Sequence, residues 1–238
     1  MFSILKDIFW PLAEAACSFP CPSCRSAFPK DGRSSLCDEC MKKINFPSPP
    51  LCPGCGGALD NVLELCSECL RADARPWKKA VSLFNMEGQG RILIHRLKYH
   101  NTPELARPLG FLAAEALRKA ELDIDFIVPT PLHWTRQWRR GFNQAELICQ
   151  MISEGSGIPV SRLLRRVKRT KAQARLNKEQ RKKNLIGAFS AKKEEICKNS
   201  SILLVDDVMT TGSTLAAATD ALLESGAREV YVLALARR

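Results

Sequence analysis

The chain has 238 residues, 45% of them apolar and 26% charged, and a formal net charge of +11. That length holds one full domain and a small second one, and the absence of any run of about 18 apolar residues excludes a membrane-spanning helix. The positive excess attracts polyanions, either nucleic acid or a substrate loaded with phosphates.

Residues 2–16 carry Phe2, Leu5, Ile8, Phe9 and Leu12 at helical spacing, interrupted by Lys6, Asp7 and Glu14. This reads as an amphipathic helix more than as the apolar core of a secretory leader. It would pack on its own protein or lie against a membrane surface, and the location expected for the chain is cytoplasmic.

Eight of the eleven cysteines then form four Cys-x-x-Cys pairs: Cys21/Cys24, Cys37/Cys40, Cys52/Cys55 and Cys66/Cys69. A two-residue gap lets both thiolates of a tight knuckle face one metal, and two knuckles complete a tetrahedron. Pro22, Pro53, Gly54, Gly56 and Gly57 supply the turn chemistry. The expectation is structural zinc with no open coordination position. Sequential pairing puts one ion on Cys21, Cys24, Cys37 and Cys40 and another on Cys52, Cys55, Cys66 and Cys69; interleaved pairs fit the spacing as well. Disulfides are the alternative, but nothing in the chain suggests an oxidising compartment. Cys17, Cys149 and Cys197 fall outside the pattern and read as small apolar residues.

The cysteine pattern ends near Arg75-Pro76-Trp77-Lys78, which divides the chain into 1–78 and 79–238. Ala80 to Met86 reads as a strand, followed by a turn at Gly88 and Gly90 and a helical face with Arg91, Arg96 and Lys98. A second helix is predicted over 103–120 from Leu105, Leu109, Leu112, Ala116 and Leu117. Asp125 to Val128 is a buried strand that runs into Pro129-Thr130-Pro131-Leu132-His133, a loop stiffened by its prolines; His133 is a possible ligand contact or an ordinary histidine. Arg136, Arg139 and Arg140, with Asn143 and Gln144 beside Gly141, could hold phosphate oxygens by forked hydrogen bonds. A helix follows to about Ile152. Between Arg162 and Lys183 lie eleven Lys or Arg against one acid, Glu179, which suits a mobile loop closing over a polyphosphate, a nucleic-acid contact, or a solvated helix face.

Ile202 to Val205 reads as a parallel-sheet strand, followed by Asp206 and Asp207, the turn Thr210-Thr211-Gly212-Ser213-Thr214, and a helix from Leu215 to Leu223. The last strand is 229–235. Ligands of open α/β sheets bind beyond the carboxyl ends of strands. There the N–H groups and hydroxyls of a turn that opens a helix suit a phosphate, and carboxylates suit sugar hydroxyls. Successive strand residues face opposite sides, so the two acids have different tasks. The plain alternative is that Asp207 ends the strand and Thr211 or Ser213 caps the helix. No Gly-x-x-x-x-Gly-Lys-Ser/Thr is present, which disfavours a Walker-type nucleotide site.

The string from Ile202 to Thr214 resembles the ribose-5-phosphate signature of type I phosphoribosyltransferases, which bind phosphoribosyl pyrophosphate (PRPP). With the four cysteine pairs, the Pro-Thr-Pro-Leu-His loop, Arg-Gly-Phe-Asn-Gln and the basic span in order, nearly the whole chain resembles the ComF family. The resemblance implies an α/β fold: a type I phosphoribosyltransferase-like parallel sheet flanked by helices, preceded by a small zinc-ribbon domain. It implies that Asp206 and Asp207 hold the ribose hydroxyls, that Met209, Thr210, Thr211, Gly212, Ser213 and Thr214 wrap the 5-phosphate, and that Pro129, Thr130 and Pro131 face pyrophosphate. Arg139, Arg140 and residues 165–183 would stabilise the charge of departing pyrophosphate, with Mg²⁺ on the pyrophosphate and ribose oxygens. The family is associated with natural competence, the import of single-stranded DNA. Two functions stay open: phosphoribosyl transfer to an unidentified acceptor, for which no residue stands out as general base, or a non-catalytic module that handles single-stranded DNA or recruits competence-machinery proteins.

Overall fold

The computed structural model describes residues 19–28, 36–59, 63–99, 102–132, 142–168, 185, 187–192 and 194–238. In chain order its elements are β1 (Phe19–Pro20), β2 (Ala27–Phe28), α1 (Asp38–Lys42), α2 (Ser67–Leu70), β3 (Lys79–Asn85), α3 (Gly88–Tyr99), a 3-10 turn (Pro103–Leu105) and α4 (Ala106–Ala120). Then come β4 (Phe126–Pro129), α5 (Gln144–Ser156), β5 (Leu164–Arg166), β6 (Phe189–Ala191), α6 (Glu194–Cys197), β7 (Ser201–Met209), α7 (Ser213–Glu224) and β8 (Glu229–Arg237).

The main sheet has the order β3-β8-β7-β4 with all neighbours parallel. Parallel strands must be covered on both faces, and their sequences are accordingly apolar throughout. Leu203, Val205, Leu233 and Leu235 face α3, α4 and α5, whereas Ile202, Leu204, Val230 and Val232 face α7 and the β5–β6 hairpin. The predicted α/β architecture is what the chain adopts. β7 is longer than the sequence suggests, however. Asp206 and Val208 still pair with Ala234 and Ala236 of β8, so both acids sit within the strand.

The cysteine-rich segment grips the free edge of β3. Its second half hydrogen-bonds along the strand, the Ala80 N–H donating to Pro53 O at 2.8 Å and the Ser82 hydroxyl to Cys55 O at 2.7 Å. The first half docks against α3, where Gln89 donates to the Ser23 hydroxyl and Arg96 to Ser23 O. Cys21, Cys37 and Cys40 thus join the core on one face of the sheet, and Cys52, Cys55 and Cys69 join the core on the other. An exposed strand edge would otherwise invite pairing with another chain. Cys149 and Cys197 are fully buried, as expected of apolar packing residues.

Candidate functional site

The two cysteine quartets are built alike. Cys21, Cys24, Cys37 and Cys40 converge, as do Cys52, Cys55, Cys66 and Cys69, with the sulfurs of each set within 4.8 Å of one another. This grouping is sequential, which the spacing alone left open. Cys24 and Cys37 Sγ are 3.6 Å apart, and so are Cys55 and Cys66 Sγ; zinc–thiolate bonds of about 2.3 Å place sulfurs roughly 3.8 Å apart in a tetrahedron. In each quartet the N–H of the third cysteine donates to the sulfur of the first, Cys37 to Cys21 at 3.4 Å and Cys66 to Cys52 at 3.3 Å. Burial pushes the Cys40 thiol up to about 12 and the Cys69 thiol up to about 11, whereas hydrogen bonds from Ser26 bring the Cys24 thiol down to about 6; a dication among the sulfurs would favour all four as thiolates. All four donors are protein sulfurs, which makes both centres structural.

The second cluster of interest lies at the carboxyl end of β7. Asp207 shares its face with Val205 and meets α3, where its Oδ1 is 2.9 Å from Lys98 Nζ; the two side chains are only 13% and 19% exposed. Asp206 Oδ1 accepts the Asp207 N–H at 2.9 Å. Burial, aided by the neighbouring Asp207 charge, pushes the Asp206 carboxyl up to about 7, against the pull of Lys98 and Arg166. The two acids are therefore distinct: Asp207 is paired with Lys98, whereas Asp206 is poised to lose or gain a proton near neutrality.

The turn follows directly. Gly212, at φ 75°, is the N-cap of α7, a left-handed position that suits glycine. Thr211 Oγ1 and Ser213 Oγ are 2.8 Å apart, and the Ser213 N–H reaches Thr211 Oγ1 at 3.4 Å. Thr210 is exposed, Thr211, Ser213 and Thr214 are half-buried, and Met209 points its side chain into the core. Met209 can offer a ligand only its backbone.

The proline loop lies beside the acids. Pro129 pairs with Val205, and the Thr130 N–H donates to Val205 O at 2.9 Å. Thr130 is 4% exposed and its hydroxyl has no partner among the described residues; Pro131 and Leu132 are half-buried. Asn143 and Gln144, expected as phosphate contacts, are instead 7% and 1% exposed. Asn143 caps α5 by accepting the Ala145 N–H at 3.1 Å, and its Nδ2 donates to Thr130 O at 3.2 Å. Its amide holds the loop to the helix and is not available to an anion. His133, Arg136, Arg139, Arg140 and most of the basic span, 169–184, lie outside the described residues, as does the segment 2–16.

Sequence reasoning missed two cations. Lys98 was visible only as one charge on a helical face. Arg75 marked a boundary, yet its Nη1 donates to Thr211 O at 2.7 Å. A third feature is a basic cleft of about 610 Å³ between the first knuckle and α3, lined by Arg25, Arg91, Ile92, His95, Arg96 and Thr102. Tyr99, 61% exposed, extends that helix face and stacks obliquely on His95 at 4.9 Å.

Residues 95–238 match the family model of the phosphoribosyl transferase domain, and residues 7–70 match that of the double zinc ribbon domain. Competence protein F of Haemophilus influenzae is 36% identical over 230 residues, spanning 92% of this chain and 97% of that protein. DNA utilization protein YhgH of Escherichia coli K12 is 34% identical over 87% of this chain and 92% of its own length. Competence protein ComFC of Bacillus subtilis is 27% identical over 80% and 79% respectively. The sheet, the acid-bearing strand with its turn and the paired cysteine quartets define a phosphoribosyltransferase-domain protein with a double zinc ribbon. Within that class the chain belongs to the ComF family.

Proposed function

We propose that the chain binds PRPP with Mg²⁺ at the end of β7 and transfers the phosphoribosyl group to an acceptor, in the cytoplasm and in the service of DNA uptake or use, the processes its relatives are named for. The supporting observation is the acid pair set one turn before a glycine-capped helix, beside a loop whose buried threonine hydroxyl has no partner among the described residues. In this reading residues 1–78 are the zinc-binding unit and 79–238 the phosphoribosyl unit.

Each residue then has a task. Asp206 and Asp207 accept hydrogen bonds from the ribose hydroxyls, and the Lys98 ion pair holds Asp207 in place. The backbone from Met209 to Thr214, with the hydroxyls of Thr210, Thr211, Ser213 and Thr214, holds the 5-phosphate through N–H and O–H donors at the helix start. The Pro129-Thr130-Pro131 loop, with Arg139 and Arg140, receives pyrophosphate. In the transfer the C1–O bond breaks, pyrophosphate leaves with the electron pair, and the acceptor's lone pair forms the new bond to C1. Lys98 already neutralises Asp207, so the acids are not an all-protein metal cage; Mg²⁺ would ride on substrate oxygens and supply positive charge to the leaving group.

A thermal melt with PRPP and Mg²⁺ tests this. At about a hundred times the dissociation constant, ligand adds roughly 2.7 kcal/mol, a rise of several degrees for a chain of this size. The shift is expected in wild type and absent in Asp206→Asn/Asp207→Asn. No shift in folded, zinc-loaded wild type would overturn PRPP use.

The basic cleft favours a second, compatible reading, contact with single-stranded DNA. Arginines for phosphates and an exposed aromatic for bases are what such strands require. Binding of a labelled oligonucleotide should weaken with salt and weaken further in Arg25→Glu/Arg91→Glu. Equal binding by that variant would remove the cleft from DNA contact.

A further inference from the structure

Between the second zinc ribbon and the sugar-phosphate turn runs an unbroken relay of contacts. The knuckle Cys52-Pro53-Gly54-Cys55 presents the Gly54 carbonyl to the indole N–H of Trp77 at 3.1 Å. Trp77 is 5% exposed and packs among the second quartet's cysteines and the sheet. The Arg75 guanidinium lies over its ring, 5.2 Å from the centroid, and Arg75 Nη1 donates to Thr211 O at 2.7 Å. Gly212 closes the relay: a Cβ there would lie 2.6 Å from Arg75 Nη1 and 3.0 Å from the Trp77 ring.

The consequence follows from peptide geometry. In a trans peptide the carbonyl and the following N–H point in opposite directions. A guanidinium that pins the Thr211 carbonyl outward therefore fixes the Gly212 N–H inward, toward the phosphate position. Gly212 is the residue most free to turn that peptide over. A flip would replace an N–H donor with a carbonyl oxygen, which repels an anion.

We propose that Arg75 is a positioning residue of the phosphate turn, held in place by Trp77 and the second zinc knuckle, so that the ribbon is a working part of the sugar-phosphate site. The proposal builds on the PRPP reading, but the turn's order can be measured without ligand. Arg75 touches no substrate in this account; it acts through the Thr211–Gly212 peptide. The first ribbon, which docks on α3 at the other face of the sheet, has no part in the relay.

Two measurements on the full chain test it. The first is amide hydrogen exchange of the peptide 205–215, without ligand, in wild type, Arg75→Met, Trp77→Phe and wild type stripped of zinc. Arg75→Met keeps the side-chain stem and removes the fork; zinc content and far-UV dichroism establish that it folds. Faster exchange in this peptide, with unchanged exchange in β8, is expected for Arg75→Met, and a smaller rise for Trp77→Phe; the stripped chain, which loses stability throughout, should exchange faster in both peptides. Unchanged exchange in Arg75→Met overturns the proposal whether or not PRPP binds.

The second is calorimetric titration with ribose 5-phosphate and, separately, with magnesium pyrophosphate. Loss of a hydrogen bond from a charged group should weaken ribose 5-phosphate by roughly tenfold or more, leave pyrophosphate unaffected, and be partly restored by Arg75→Lys. Equal weakening of both ligands overturns the proposal in favour of a general loss of fold. Wild type that binds neither sinks the PRPP reading and leaves the exchange result to decide the positioning role.

Discussion

Asp206 is an acid whose surroundings favour its proton. An unfolded aspartate titrates near 3.9, but burial and the adjacent Asp207 raise this one to about 7, with Lys98 and Arg166 pulling the other way. Between those values the folded chain holds more protons than the unfolded one, so stability falls as pH rises through the window. The penalty is absent below about 4 and complete above about 7. Asp206→Asn removes the charge and keeps the shape. It should stabilise the ligand-free chain on the order of 1–3 kcal/mol at pH 8, have little effect at pH 4, and abolish the PRPP-induced shift. Urea midpoints of both proteins at pH 4, 6 and 8 check this; a gap that does not grow with pH would show that Asp206 carries no buried charge. Such a trade of stability for function is expected where a site must hold charge.

At the scale of elements, the two knuckles repeat each other with one telling difference. The residue after the second cysteine is left-handed in both, Arg25 at φ 68° and Gly56 at φ 69°. Gly56 lies against β3, where a Cβ would come within 2.2 Å of Ser82 N and 2.8 Å of Val81 C. Arg25 bears its strain in the open and lines the basic cleft. Gly56→Ala should therefore cost on the order of 2–4 kcal/mol, from strain plus a backbone clash, whereas Arg25→Gly should change stability by less than about 1 kcal/mol. Chemical denaturation of the two variants checks the contrast, and equal effects would mean that the second knuckle does not need its close approach to β3.

The same elements show what the sequence could reveal. Strand β7, its acids, the turn and α7 are contiguous, so their pattern is readable as one string. The cysteine pairs are local too, but gaps of nearly equal length allow either pairing, and only the docking of each knuckle on its own face of the sheet selects one. Lys98 with Asp207 and Arg75 with Thr211 join residues more than a hundred positions apart, and no local spacing announces them. Asn143 misled for a related reason: an amide beside arginines resembles an anion ligand until its helix cap is seen.

For the whole molecule, the ribbons act as a clamp on the edge strand, one on each face. Among the described residues, the second is bonded to the sheet through the backbone of β3 and through Trp77, with Arg237 at the end of β8 reaching Glu68 of α2 at 3.0 Å. The first is held on α3 mainly by side chains, Gln89 and Arg96, with one backbone bond from Asn85 to Asn45 O at 2.9 Å. Both quartets contribute buried cysteines to the main cores, so neither ribbon can unfold without opening the sheet's cover. Losing a zinc should then lower the stability of the entire chain in one cooperative transition, and the second site should matter more. Cys66→Ser and Cys37→Ser each remove one ligand by an isosteric change. Binding free energies of structural zinc reach roughly 10 kcal/mol or more, so even partial loss should lower the melting temperature by about 10 °C, with Cys66→Ser the lower of the two. Calorimetry with zinc content measured alongside decides this. A separate low-temperature transition, with the main one unmoved, would mean that the ribbons are appended to the sheet and do not clamp it.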